Sequence, residues 1–175
     1  MGTQAMTDQP RQDPSNLEHS DPAIRRQTLQ SIIDESPRLA DWTIPLLRAA
    51  CDPHASVSEL AIATLEDMGA PDASQVADIV AFAQRPADSE TVYWATTLIG
   101  RIGPAAADAV PTLAGVLANS SFLHVREKAA WALGQIGPAA VGASAVLQSA
   151  AEQGPPRLQR LATKALAAMA GSAAA

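Results

Sequence analysis

VREKAAWALGQIGPAA, residues Val125 to Ala140, lies without a gap on TVYWATTLIGRIGPAA, residues Thr91 to Ala106, at an offset of 34. The two stretches share Gly-x-Ile-Gly-Pro-Ala-Ala, and a fixed internal period is the first thing to establish, because missing it misassigns the whole fold. A further 34 residues upstream, VSELAIATLEDMGA from Val57 places Ala61, Leu65, Met68 and Gly69 where Ala129, Leu133, Ile136 and Gly137 fall. Offsets of 33 at the two ends bring in IRRQTLQSIIDES from Ile24 and LQRLATKALAAMAG from Leu158. These two copies are more degenerate, as terminal repeats of an array are.

Within each unit, apolar or small residues sit at positions 0, +4, +8 and +11, the single stripe of an amphipathic helix. In the best copy they are Val125, Ala129, Leu133 and Ile136. Gly69, Gly103 and Gly137 follow as expected left-handed helix stops, and Pro104 and Pro138 forbid continuation. A second apolar stretch of helix length comes next in each unit: Trp42 to Ala50, Ser74 to Ala83, Ala107 to Ala118, and Val141 to Ala151. Pro45 and Pro111 stand near the starts of two of these, where a missing amide hydrogen costs little. Period-2 alternation is absent, so strands are not expected.

The reading is an all-α solenoid of four to five helix-turn-helix repeats, at about 21–51, 52–85, 86–120, 121–153 and 154–171. One helix pair cannot cover both its apolar faces, so neighbours must stack. Residues 1–20 are polar, carry no periodic stripe and are expected to form a flexible arm, with 172–175 a frayed tail. The first residues have neither the basic start nor the apolar run of a signal peptide or anchor, which points to a cytoplasmic protein without a membrane partner.

Aromatics make up 3% of the 175 residues while alanine is abundant, so the core must be built from small side chains that let helices approach closely. The single Cys51 excludes an internal disulfide framework. Net charge is −6, split as 13 acidic and 5 basic residues in 1–84 against 5 and 7 in 85–175. An anionic partner would therefore meet the C-terminal half.

The string VREKAAWALGQIGPAA resembles the bacterial HEAT-like repeat, also called the phycobilisome-lyase HEAT-like repeat, whose usual form is close to VRxxAAxALGxIGxxxA. The resemblance covers roughly residues 20 to 171 and is most specific in repeats three and four. It implies a right-handed superhelix with first helices on the convex side and second helices on the concave side, which commonly grips partner proteins. The period also equals that of tetratricopeptide repeats, but their fixed Trp, Leu-Gly, Tyr, Ala, Phe and Pro positions are not met.

Some HEAT-like proteins are enzymes. The deoxyhypusine hydroxylase carries His-Glu dipeptides as iron ligands, whereas this chain has none, and His19, His54 and His124 read as residues of the arm or of inter-repeat turns. Cys51 stands near His54, but a small, partly buried thiol at a helix terminus is much the better reading. No GxSxG, Walker-type or GxGxxG motif is present. No catalytic residue, metal or cofactor is expected.

Binding is left as the function. Positions +2 and +6 of the first helices should form an outward stripe, on which Tyr93 and Trp131 replace mostly polar residues. Aromatics there are candidate partner contacts, although Trp131 could equally pack over the ridge between repeats three and four. From the second helices, Arg48, Asp78, Asp108, Thr112 and Gln148 are further candidates on a shallow surface suited to a helix or extended peptide. The sequence thus predicts a non-enzymatic scaffold or adaptor for a protein or peptide partner. Alternatives are an accessory subunit of a lyase or other modifying enzyme, and nucleic-acid binding through Arg126, Lys128, Arg157, Arg160 and Lys164. Exposed terminal repeats would also permit end-to-end self-association.

Overall fold

Stacked helix pairs make up the whole of the computed structural model, which describes residues 14–36, 38–85 and 88–171. The first helices of the repeats are α1 (Pro22–Glu35), α3 (Ala55–Asp67), α5 (Ser89–Ile102), α7 (Leu123–Ile136) and α9 (Pro156–Ala170). The second helices are α2 (Thr43–Ala49), α4 (Val76–Ala83), α6 (Val110–Asn119) and α8 (Ser144–Gln153). First helices begin 33, 34, 34 and 33 residues apart, the spacings of the sequence repeat. The architecture is four helix pairs closed by a fifth first helix, with no strand among the described residues.

The amphipathic stripe explains the core. Val125, Ala129, Leu133 and Ile136 are fully buried, as are Val57, Ala61, Leu65 and Met68 one level down, save for a few per cent. All of these except Val125 belong to one contiguous apolar cluster running from Leu29 to Ala165, which is how stacking covers faces that a lone pair would leave wet.

Helix starts and stops use mixed chemistry. Asp21 caps α1 by accepting from Ala23 N at 2.8 Å, and Asp88 caps α5 by accepting from Thr91 N at 3.1 Å. Gly103 and Gly137 have φ of 69° and 71° with ψ of −136°, a positive-φ conformation essentially closed to other residues. Gly69 does not share it: α3 instead ends at Met68 in an extended conformation (φ −65°, ψ 136°), so the expected left-handed stop is absent there. Pro104 and Pro138 open 3-10 segments, Gly103–Ala109 and Gly137–Ala143, and the α-helices begin only at Val110 and Ser144. The helical stretch Leu123–Gln153 reaches a mean hydropathy of 1.3, yet the reversal at Gly137 divides it into α7 and α8.

Seams between repeats differ. Consecutive first helices approach most closely at α5–α7 and α7–α9, while α3 and α5 stand farther apart. Close approach rests on small residues: a methyl on Gly100 would overlap the Trp131 ring, and one on Gly134 would lie 3.2 Å from Ala165 Cα. Across the wider seam a long side chain does the joining. Arg101 of α5 donates to the carbonyls of Leu65, Met68 and Glu66 at 2.6, 2.6 and 3.0 Å, satisfying the open C-terminal end of α3.

The two end faces of the described stack differ from its interior. Of the segment expected as a flexible arm, Pro14–Glu18 forms a 3-10 turn that meets α1 and α2 as α4 meets α5 and α6, and its Leu17 packs on the core. It takes the place of a second helix preceding repeat one. Arg25 and Asp52 form a bidentate pair at 2.6 and 2.8 Å beneath it. At the other end, α9 exposes Arg160, Thr163, Lys164 and Ala167, the register equivalents of α7 residues that α9 itself covers. Such a face can be left to solvent. The rest of the expected arm, residues 1–13, and the expected frayed tail, residues 172–175, lie outside the described residues.

Gly137 and Gly69 both have open space where a Cβ would sit, and only Gly137 has positive φ. Gly137→Ala should therefore lose about 1–3 kcal/mol through backbone strain alone, whereas Gly69→Ala should be neutral or gain up to about 1 kcal/mol. Urea unfolding followed by circular dichroism measures both, and equal effects would refute the backbone argument.

Candidate functional site

Departures from the repeat pattern create two surface concavities. Position +1 of the first helices usually supplies a side-chain donor to the C-terminal carbonyls of the preceding turn or second helix. Arg25 Nη1 donates to His19 O (2.7 Å) and Ser20 O (3.1 Å), Arg126 Nε to Leu117 O (3.0 Å), and Gln159 Nε2 to Glu152 O (3.2 Å). In repeat three this position is Val92, which donates nothing. On the second helices, the register position held by Arg48, Ala81 and Ser149 is Gly115 in α6. Nothing lies within 4 Å of where its Cβ would be.

A groove of about 530 Å³ therefore opens between α4 and α6. Ala83, Val92, Pro111, Val116 and Phe122 give it apolar walls, and Gln84, Thr112, Asn119, Ser120 and Ser121 a neutral polar rim. Gln84 Nε2 donates to Thr112 Oγ1 at 3.4 Å across it. No charged side chain lines it among the described residues. Two repeats earlier, the corresponding notch holds Pro45, Arg48, Ala49 and Asp52 with Leu17 and Glu18 opposite, and Arg48 Nη1 pairs with Glu18 Oε1 at 3.1 Å. There the long Arg48 side chain stands where Gly115 leaves space.

The second concavity lies on the first helices. Tyr93, His124, Glu127, Lys128, Trp131, Arg157 and Leu161 line a cleft of about 200 Å³. Lys128 Nζ sits 4.7 Å from the Tyr93 ring centroid and 5.0 Å from that of Trp131, a double cation–π contact. Tyr93 is edge-on to the buried Trp94 at 5.4 Å, and Trp94 Nε1 donates to Glu90 Oε1 at 2.7 Å. Glu127, 9% exposed, pairs with Arg157 at 3.3 Å.

Sequence-derived candidates divide between these surfaces. Tyr93 and Trp131 come together around Lys128, and Thr112 lies on the groove rim. Arg48 belongs to the N-terminal notch, while Asp78, Asp108 and Gln148 are exposed and join neither concavity. The outward stripe also needs correcting. Arg26, Glu59, Ala63, Arg160 and Lys164 are exposed, but Thr97 and Glu127 are buried, because in repeats three and four the next first helix covers that side. Trp131 packs back on Gly100 and keeps only partial exposure. Sequence reading passed over Val92, Gly115, Gln84 and Asn119. Their signal lay in the aligned repeats, as an apolar residue and a glycine where other copies carry longer or polar side chains.

A family model described as HEAT repeats matches residues 76–167, a span that contains the groove and the cleft. The chain belongs to the HEAT repeat family. No curated protein gives a significant match. The HEAT repeat assignment accords with the stacked helix pairs and with the 33- to 34-residue spacing of their starts.

Within this HEAT array, Cys51 and His124 make local packing contacts. Cys51 Sγ donates to Leu47 O at 3.2 Å and contacts Thr91 Oγ1, whose hydroxyl is bonded to Asp88. His54 is exposed at the start of α3, and the Cys51 thiol contacts those groups rather than its ring. His124 lies in the first turn of α7 rather than in a turn between helices, tilted against Tyr93 and Phe122 at 5.9 Å from each. Among the described residues, no three His, Cys, Asp or Glu side chains gather as a metal-ligand set. Burial pushes the Cys51 thiol up from its ordinary value, overcoming the opposing hydrogen bond from Thr91. Thiolate is the reactive form, so Cys51 should alkylate with iodoacetamide at pH 8 more slowly than free cysteine. The unfolded chain should react at the free rate. Folded protein reacting as fast as free cysteine would restore the nucleophile reading.

Proposed function

We propose that this HEAT repeat chain is a non-enzymatic, cytoplasmic scaffold or adaptor that holds a partner protein or peptide on the solenoid surface. HEAT repeats commonly mediate protein interactions. The observation that carries the reading here is the α4–α6 groove: apolar walls, a neutral amide-and-hydroxyl rim, and no converging titratable groups. That lining suits an extended peptide, whose apolar side chains fill the groove while its backbone bonds to Gln84, Thr112 and Asn119. General acid–base or nucleophilic chemistry would need a base within hydrogen-bond reach of a reacting group, and the lining supplies none.

The same proposal extends to origin. The pattern around Val125–Gly137 fits the bacterial HEAT-like repeat, so a bacterial adaptor of that subfamily is the reading in full.

Gly115→Leu tests the groove, since its side chain would enter open space rather than the core. In-cell crosslinking followed by mass spectrometry should recover a partner crosslinked near α4 and α6 with the natural chain. The variant should lose that partner while keeping its helical signal and melting temperature. Recovery of no protein above background, or equal recovery by the variant, would refute the groove as the docking site.

A further inference from the structure

The first-helix cleft has a different chemistry from the groove. Lys128 Nζ is held over two aromatic rings, and no carboxylate pairs with it among the described residues. Its ammonium is therefore fixed in place with its charge unneutralised. Arg157, at the opposite edge, has a side chain that is 73% exposed, and its partner Glu127 is turned inward at 11%. His124 completes the rim. From residue 120 onward the chain carries five basic residues against Glu127 and Glu152, so α7 to α9 have a net positive charge in a chain that is −6 overall. The floor is apolar, made by Tyr93, Trp131 and Leu161, each partly buried.

We propose that this cleft is a second docking surface, taking an acidic protein segment that carries one aromatic or aliphatic side chain among its carboxylates. It rests on the scaffold reading only for the class of partner, and not on the α4–α6 groove. The carboxylates meet Lys128 and Arg157 as charge-assisted hydrogen bonds, and the apolar side chain packs on Trp131 and Leu161. A cationic segment would instead be driven against Lys128. A cleft of about 200 Å³ has room for one large side chain, which limits the apolar anchor to one.

Charge complementarity favours protein over nucleic acid. Phosphate-backbone affinity grows with the number of cations along a track, and here they are confined to α7 and α9, while residues 1–84 carry 13 acidic and 5 basic side chains.

The test uses the full chain and a random glutamate–tyrosine copolymer as probe, read by fluorescence anisotropy at several salt concentrations. Polylysine and a single-stranded oligonucleotide serve as comparisons. The copolymer should bind and polylysine should not. Lys128→Glu should weaken binding about tenfold or more, and Lys128→Gln should weaken it in the same direction without placing a carboxylate near Glu127. Arg38→Glu makes the same change in net charge at an exposed N-terminal site and should leave affinity within about twofold. Circular dichroism melting keeps a folding defect separate from a binding defect. Absence of copolymer binding, equal losses in Lys128→Glu and Arg38→Glu, or tighter binding of the oligonucleotide would each overturn the proposal. None of these outcomes bears on the uncharged groove, whose own test is Gly115→Leu.

Discussion

A helix pair with one stripe on each helix cannot cover its own apolar surface, and everything else in this molecule follows from that shortage. Each repeat borrows cover from the next, so the spacing between first helices decides how well the debt is met. Gly100 and Gly134 let α5, α7 and α9 come close together, with the Trp131 ring against Gly100 and Ala165 against Gly134. Between α3 and α5 the helices stand apart, and Arg101 spans the gap by bonding three carbonyls of the preceding repeat. Burial of small side chains at native density holds the first kind of seam, and charge-assisted capping of a helix end holds the second. The array is therefore built from unequal joints.

Its recognition surfaces arise where the repeat is imperfect. A strictly regular array of this design would present the same shallow seam at every level. Val92 removes a donor that other copies supply, Gly115 removes a side chain, and a groove opens at that one level. Lys128 takes a register position that Trp94 fills one repeat earlier, which turns a buried aromatic seam into a cationic cleft. The two concavities differ in charge and have α5 in common, so one chain can present two chemistries to partners. Neither needs a moving part.

The sequence disclosed the architecture almost completely, because the period of 33 to 34 and the buried stripe are properties of residue order alone. Positions 0, +4 and +8 are buried in the central copies, with +11 buried at Met68 and Ile136 and partly buried at Ile102, because a helix of that pattern turns them inward. Legibility failed where conformation depends on neighbours. Gly69 looks like Gly103 and Gly137 in the aligned repeats, yet no Pro follows it directly, and the chain leaves α3 in an extended conformation without positive φ. The 3-10 lead-ins to α6 and α8 were hidden because alanine and glycine runs suit either helix type. Pro14–Glu18 was hidden because its polar composition gives no stripe, although Leu17 anchors it. The candidate sites were read in part. Helical spacing brought out Tyr93, Trp131 and Thr112, but spacing alone does not say which side of a first helix the next repeat will cover, and so Thr97 and Glu127 were placed outward.

Unequal joints make a direct test possible, since in a quasi-linear array each repeat is stabilised mainly by its neighbours. Native-state hydrogen exchange read by mass spectrometry resolves the helices one by one. Amides of α7, which has a tight seam on each side, and of α5, which has one towards α7, should exchange slowest, and α1 to α4 should open before them across the wider α3–α5 joint. Loss of protection in a single step common to all nine helices would contradict a stack of repeats joined seam by seam.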